Sequence, residues 1–403
     1  MGVFDGIKVA DFSWAAVGPV PGRILADHGA TVVRVESINW LEIARVLPPW
    51  KDFRFGEPNT SGLYPLYNTN KYGAALNLRH PRAAEVAHRF VEWADVFTTA
   101  AGPGFMKRLG LDYESVSKVK PDIVYYATSM QGQTGPHSRH VAYGSHTAAL
   151  CGFVGLAGWP DRDPAMLYGA YTDWFTPRYA VTVLIAALDR RRKTGQGMYI
   201  DHAQYETAIH FLEPIVLDYT VNGRVFARNG NYDPYAAPHG AYRCRGEDRW
   251  VAIAVTSDEE WQGLCRVLGE PEWTREERFS TLSGRLTNHA ELDRLLEEWT
   301  VDFPPEQVMA MMQAAGVPAG VVQTPEDCHS DPQLKHRQHF RFVEHTEIGP
   351  FGHDSPGFKL SKTPTEYCRS GPCIGEHNEY VYKELLGMSD DELADLVAEG
   401  VIE

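Results

Sequence analysis

The chain has 403 residues, 43% apolar and 23% charged, with a formal net charge of -15. That length predicts two domains or one large discontinuous domain. The acidic balance argues against a nucleic-acid binder, which needs a basic face for phosphates, but allows a locally basic pocket.

No apolar run reaches the roughly 20 residues of a membrane helix. The opening "MGVFDGIKVADF" has no basic region followed by an apolar stretch, so neither membrane insertion nor a secretory signal is expected. Six scattered cysteines with no CxxC predict a reduced, cytoplasmic protein, and no histidine pair has zinc-like spacing, so no metal is expected.

In chain order, "IKVADF" (7–12) reads as a strand, "SWAAVGP" (13–19) as a turn, and a helix follows to His28, ended by Gly29. "ATVVRVE" (30–36) is a second strand, which makes a βαβ unit and a parallel sheet. The alternation continues with a helix over 81–93, a strand over 95–100, a helix over 103–119 and a strand over 122–129. The first 200 residues are thus predicted to be doubly wound α/β. A helix beginning near Pro177 carries Ala180, Val181, Leu184, Ile185 and Leu188 on one face, with Gly195 as its cap. A second helix is predicted over about 202–220. After a Gly-, Asn- and Pro-rich break over 222–240 come a hairpin over 241–255 and helices over 258–268, 288–300 and 305–315. A strand over 317–324 is expected to return to the main body, and short helices end the chain, one starting after Ser389.

Glu36 ends the second strand, where an acid can hold a ribose, but the first turn lacks GxGxxG, which argues against a dinucleotide. There is no P-loop, HExxH or GxSxG. His137, His140 and His146 cluster without a carboxylate or cysteine partner at ligand spacing. Asp173 is the unusual residue. It lies among Tyr171, Trp174 and Phe175 at the mouth of a helix, about three residues too early for a simple N-cap, a role that Thr176 fits better. One reading makes it a partner of the helix dipole. The other makes it a carboxylate nucleophile, charged, positioned and partly dry.

Five segments in order then resemble the family III CoA-transferases, the formyl-CoA transferase and crotonobetainyl-CoA:carnitine CoA-transferase group. They are "DGIKVADFSWAAVGPVPGRILADHGATVVRVE", "NTNKYGAALNLRHP", "GPGFMKRLGLDYESVSKVKPDIVYYATSMQGQTGP", "TDWFTPRYAVTVLIAALDRRRKTGQGMYID" and "GEH". The resemblance implies a Rossmann-like large domain built from both chain ends (1–203 and 326–403), a linker helix (204–223), an inserted smaller α+β domain (224–325), and two chains threaded as interlocked rings. It implies Asp173 as nucleophile, coenzyme A as part of the acyl-CoA substrate, and a homodimer or a heteromer with a related subunit. Ala15, Ala16, Val17 and Gly18 match the turn lining the cofactor. Asn70, Lys71 and Arg108 match positions near its phosphates or adenine, and Gln131 lies in the segment at the thioester end. Ser37, Tyr72, Ala100 and Ala101 depart from the family pattern, which changes the expected nucleotide contacts. The substrate pocket is expected to hold Tyr143, Trp174, Phe175, Arg178 and His239. Arg178 or His239 is the candidate for binding a second carboxylate. "RNGNYDPYAAPHGAYRCRGEDRW" is similar to benzylsuccinate-type members that use succinyl-CoA as donor. The 2-methylacyl-CoA racemases of the same fold are the alternative, but they carry a His where Tyr143 stands here, and that His is needed to move an α-proton. A partner subunit of a hetero-oligomeric transferase is the second alternative.

Overall fold

The computed structural model describes residues 2–403. They form two compact units. One comprises 2–153, 166–223 and 333–403; the other comprises 154–165 and 224–332.

The first unit is built on a six-stranded parallel sheet of order β3-β2-β1-β4-β5-β6. Its strands are β1 (Lys8–Phe12), β2 (Thr31–Glu36), β3 (Tyr72–Ala75), β4 (Val96–Thr99), β5 (Val124–Ser129) and β6 (Met198–Ala203). Parallel strands need crossovers, and buried ones carry apolar residues on both faces. The period of two divides these side chains between two cores. Ala10, Val33, Phe97 and Tyr125 point into one with Val86 and Phe90 of α2 (Ala83–Trp93). Val9, Val32, Val96 and Tyr126 point into the other, with Leu25 of α1 (Pro19–Asp27) and Ala180 and Leu184 of a long helix over 172–194. The chain's last segment returns to β3: the Asn77 amide donates to the Val401 carbonyl at 2.9 Å, and the Tyr382 hydroxyl to the Ala75 carbonyl at 2.8 Å.

The second unit has a three-stranded antiparallel sheet, β7 (His239–Arg243), β8 (Trp250–Ala254) and β9 (Ala319–Val321). Trp261, Leu264, Leu292, Leu296, Val308 and Met312, from helices over 258–267, 289–300 and 305–314, fill its core.

Several expectations need correction. The strand expected to return to the main body, β9, pairs with β8 inside the second unit. The helix expected over 103–119 is two short helices, Phe105–Arg108 and Tyr113–Val119, because Gly110 sits at φ 65° between them. The stretch expected as one helix over 202–220 finishes β6, then forms a helix over 204–210 and another over 213–222. β3, β6 and a hairpin of β10 (Phe340–His345) with β11 (Gly349–Asp354) were not visible in the pattern. Among the described residues no helix is long and apolar enough to cross a membrane, and no group of three or more His, Cys, Asp or Glu side chains is placed to hold a metal.

Candidate active site

The order 3-2-1-4-5-6 reverses direction between β1 and β4, and open α/β sheets leave a crevice beyond the strand ends at such a point. A cavity of about 650 Å³ lies there. Its walls include Phe12 and Glu36 at the ends of β1 and β2, Ala100 and Ala101 after β4, and the aromatic rings of Trp14 and Trp40. Three arginines line it: Arg79, Arg108 and Arg139. The Arg79 guanidinium stacks 4.1 Å above the Trp40 ring, and Arg108 stands 5.4 Å from the Phe105 ring centre. Arg108, for which the resemblance implies a place near the cofactor, lines this cavity with Ala100 and Ala101. Arg79 and Arg139 stand in loops, where a lone arginine carries no periodic signal in the sequence.

The first turn behaves differently from its glycine-rich counterparts. Ala15 adopts φ 59°, a left-handed backbone that costs a non-glycine residue energy. Ala16, Val17 and Gly18 are buried, and a Cβ on Gly18 would stand 2.7 Å from that of Ala100. Beneath this turn lies a buried ionic network. Lys71 Nζ donates to Asp11 Oδ2 at 2.7 Å, to the Pro19 carbonyl at 2.7 Å and to Asn68 Oδ1 at 2.9 Å. Arg34 bonds Glu42 at 2.8 Å, and Arg45 holds Glu36 through two nitrogens, with Tyr64 as a third donor. Glu36 is therefore engaged and does not present a free carboxylate to a ribose. Asn70 is also committed: its amide donates to Asp27 and to the Glu366 carbonyl, both at 2.8 Å, and its carbonyl accepts from the Cys368 amide at 2.8 Å. Asn70 and Lys71, expected near the cofactor, thus spend their polar atoms inside this unit.

Asp173 belongs to the long helix, which starts at Thr172 rather than near Pro177. Pro177 suggested a first helical position, but it lies one turn inside. Asp173 is therefore in the first turn, where the helix dipole favours a negative charge. Its carboxylate packs against Gly144, the first residue of a helix over 144–150; a Cβ at Gly144 would stand 2.4 Å from Asp173 Oδ1. Only glycine leaves that space. Gln204 opens the helix that follows β6, and its Nε2 donates to Asp173 Oδ1. The other Nε2 hydrogen goes to Thr172 Oγ1 at 2.9 Å, whose hydroxyl in turn donates to the Gly144 carbonyl at 3.0 Å. Burial pushes the Asp173 carboxyl up to about 6, and the Gln204 bond opposes that rise. Burial also raises the Tyr67 hydroxyl, with the nearby Asp173 charge adding to it. Neither Gln204, Gly144 nor Tyr67 was singled out in the sequence, because each reaches Asp173 across a separation that periodicity does not report.

The remaining expected residues divide. Trp174 leans on Tyr67 with ring centres 5.8 Å apart. Phe175 is part of an aromatic cluster, 4.1 Å from Phe211 and 6.1 Å from Phe153. Tyr143 is exposed and its amide donates to His146 Nδ1 at 3.3 Å, which turns that histidine toward its own helix start. Gln131 is half-buried, while its neighbour Gln133 bonds the Ala101 carbonyl on the cavity wall at 3.1 Å. Arg178 is exposed, with Asp354 and Arg23 in its electrostatic surroundings. His239 belongs to the second unit, where its ring bonds the Asn231 carbonyl at 2.6 Å.

Comparison with known proteins gives the arrangement a context. The profile of CoA-transferase family III matches residues 4–378. The chain is 30% identical over 398 residues to succinyl-CoA–D-citramalate CoA-transferase of Chloroflexus aurantiacus, covering 99% of this chain and 98% of the relative. It is 29% identical to the succinyl-CoA–L-malate CoA-transferase beta subunit of the same organism, covering 98% and 97%. A crystal structure of a CAIB/BAIF family protein from Brucella suis superposes with a TM-score of 0.88 at 30% identity, covering 95% of this chain and 99% of that one.

Proposed function

The chain belongs to CoA-transferase family III and is a CoA-transferase, and from that premise we propose that Asp173 is its nucleophile and that succinyl-CoA is its donor. The observation that carries the reading is the state of Asp173: a largely desolvated carboxylate, pushed up to about 6 by burial, that keeps a neutral amide donor as its hydrogen-bond partner. At neutral pH such a group is ionised yet poorly solvated, which suits nucleophilic attack.

In this mechanism Asp173 Oδ2 attacks the donor thioester carbonyl carbon. The C–S bond breaks, giving a mixed anhydride and the CoA thiolate. The thiolate then attacks Asp173 Cγ, and the Cγ–Oδ2 bond breaks. The donor acid leaves as a carboxylate and an aspartyl-CoA thioester remains. The acceptor carboxylate runs the same steps in reverse. One thioester is exchanged for another, and no net proton is gained or lost. The protein's part is to hold the attacking oxygen in near-attack geometry.

The cavity at the β1/β4 crevice supports a site for the nucleotide end of CoA. Arg79, Arg108 and Arg139 offer planar donors for phosphates, and the Trp14 and Trp40 rings offer faces for adenine. Asn70 and Lys71 are left out of this assignment because their polar atoms are engaged internally. The donor assignment draws on the succinyl-CoA in the names of the relatives. A second copy of the chain is the expected partner. The helix over 213–222 buries no residue, and Leu217, Tyr219 and Val221 stand exposed on it.

The test is Asp173→Ala against the parent with succinyl-CoA and a panel of acceptor acids, with hydroxylamine trapping. Loss of transfer in the variant and a hydroxamate located at Asp173 in the parent are expected. Full activity in the variant sinks the mechanism.

A further inference from the structure

We propose that Gln204 is a catalytic donor, whose Nε2 hydrogen takes the negative charge that forms on Asp173 Oδ1 when the carboxyl carbon is attacked. This rests on the reading of Asp173 as nucleophile and assigns its two oxygens different work. Oδ2 attacks, and leaves with the donor acid. Oδ1 stays attached and becomes the oxyanion. When the CoA thiolate adds to Asp173 Cγ, the Cγ=Oδ1 electron pair moves onto Oδ1. When the tetrahedral centre collapses, that pair returns and the Cγ–Oδ2 bond breaks, with its electrons departing on the donor carboxylate. The acceptor half-reaction passes through the same centre when its carboxylate oxygen adds to Cγ and expels the thiolate. Charge therefore appears on Oδ1 twice per turnover, and each time a donor already in place stabilises it.

The geometry gives Gln204 one orientation. Both hydrogens of its amide nitrogen have acceptors, Asp173 Oδ1 and Thr172 Oγ1. The Thr172 hydroxyl spends its own hydrogen on the Gly144 carbonyl, so toward Gln204 it presents a lone pair. Turning the amide over would face its carbonyl oxygen to a carboxylate and to that lone pair, which is repulsive on both counts. Gln204 is buried and begins its helix at the end of β6, so the donor sits on a rigid element. Its place next to Asp173 is thus a fixed donor aimed at a reacting atom, and Thr172 is the residue that fixes its direction.

The experiment follows exchange of ¹³C-succinate into succinyl-CoA by the full chain, with hydroxylamine trapping to count competent sites. Gln204→Leu is expected to lower kcat per competent site by about 10²-fold, the usual loss for one oxyanion donor. KM for succinyl-CoA should hold, because the bond strengthens only in the transition state. The Gln204 hydrogen bond favours the ionised Asp173, so its removal raises that carboxyl. The acid limb of the pH profile should therefore move to higher pH than in the parent. Thr172→Val keeps the amide but frees its orientation, and should lose about 10-fold. A merely structural role for Gln204 would reduce the competent fraction and Tm without moving the acid limb. If either variant keeps the parental kcat and acid limb per competent site while the parent yields the Asp173 hydroxamate, the role of Gln204 is overturned and the nucleophile stands. If the parent gives neither exchange nor hydroxamate, both readings fall together.

Discussion

Two carboxylates in the first unit, the fully buried Asp11 and the partly buried Asp173, are treated in opposite ways. Asp11 ends up among cations: Lys71 and Arg34 hold its carboxyl below the usual range although burial alone would raise it. Asp173 ends up beside an amide, and burial prevails. Desolvation raises both carboxyls, so it does not by itself separate a structural acid from a chemical one. The partner does. A guanidinium or ammonium neutralises the charge and fixes it, whereas a neutral amide orients the group and leaves the charge available.

The comparison is broken most sharply at Asp173 itself. Asp173→Asn should lower transfer by about 10³-fold or more, measured as exchange with succinyl-CoA. The same change should raise stability near neutral pH. The folded carboxyl lies above its unfolded value of 3.8, so its ionisation opposes folding, and that cost grows as pH rises from about 4 to about 6. Thermal unfolding should show the variant gaining on the order of 1–3 kcal/mol at pH 7.5 and nothing at pH 4. On the other side, Lys71→Met should leave Asp11 buried without its ammonium and cost about 3–5 kcal/mol of stability by denaturant unfolding. An unchanged midpoint there would remove the distinction drawn here.

Gly144→Ala comes next. It puts a Cβ into the space of Asp173 Oδ1, and a displaced nucleophile should cost about 10²-fold in kcat. Equal activity would mean that the carboxylate is free to move aside. The smallest effect is expected at the cavity. Arg108→Ala should raise KM for acyl-CoA by about 10-fold at unchanged kcat, with smaller loss for a substrate truncated at the pantetheine.

Acid stability sharpens the same contrast. Asp11 is held below its unfolded value, so its contribution is present above about pH 4 and is lost as pH falls through the lowered folded value. Asp173 acts the other way, favouring the folded chain as pH falls from about 6 to about 4.

Most of the first sheet was legible because β1, β2, β4 and β5 are short apolar runs separated by helical periodicity. β3 ("YGAA") and β6 ("MYIDHA") escaped, one too short and small, the other polar at its end. Pro177 points to a helix start five residues too late, because proline fits a first turn so well, whereas the helix begins at Thr172. Asp173 stood out in the sequence by its aromatic neighbours, but Gln204 and Gly144, which define its chemistry, lie 31 residues after it and 29 before it. Contacts of that range belong to the fold and leave no local trace.

Pro177 has one further effect. In a helix the amide of residue 177 would donate to the carbonyl of residue 173, and proline has no hydrogen to give. Three residues along from Asp173, the buried Thr176 hydroxyl also lacks a partner. The turn bearing Asp173 thus lacks one rung of the helix ladder, the bond that residue 177 would supply. What the backbone gives up there is made good by the side chain, which Gln204 ties to the start of another helix and Gly144 fits from the other side.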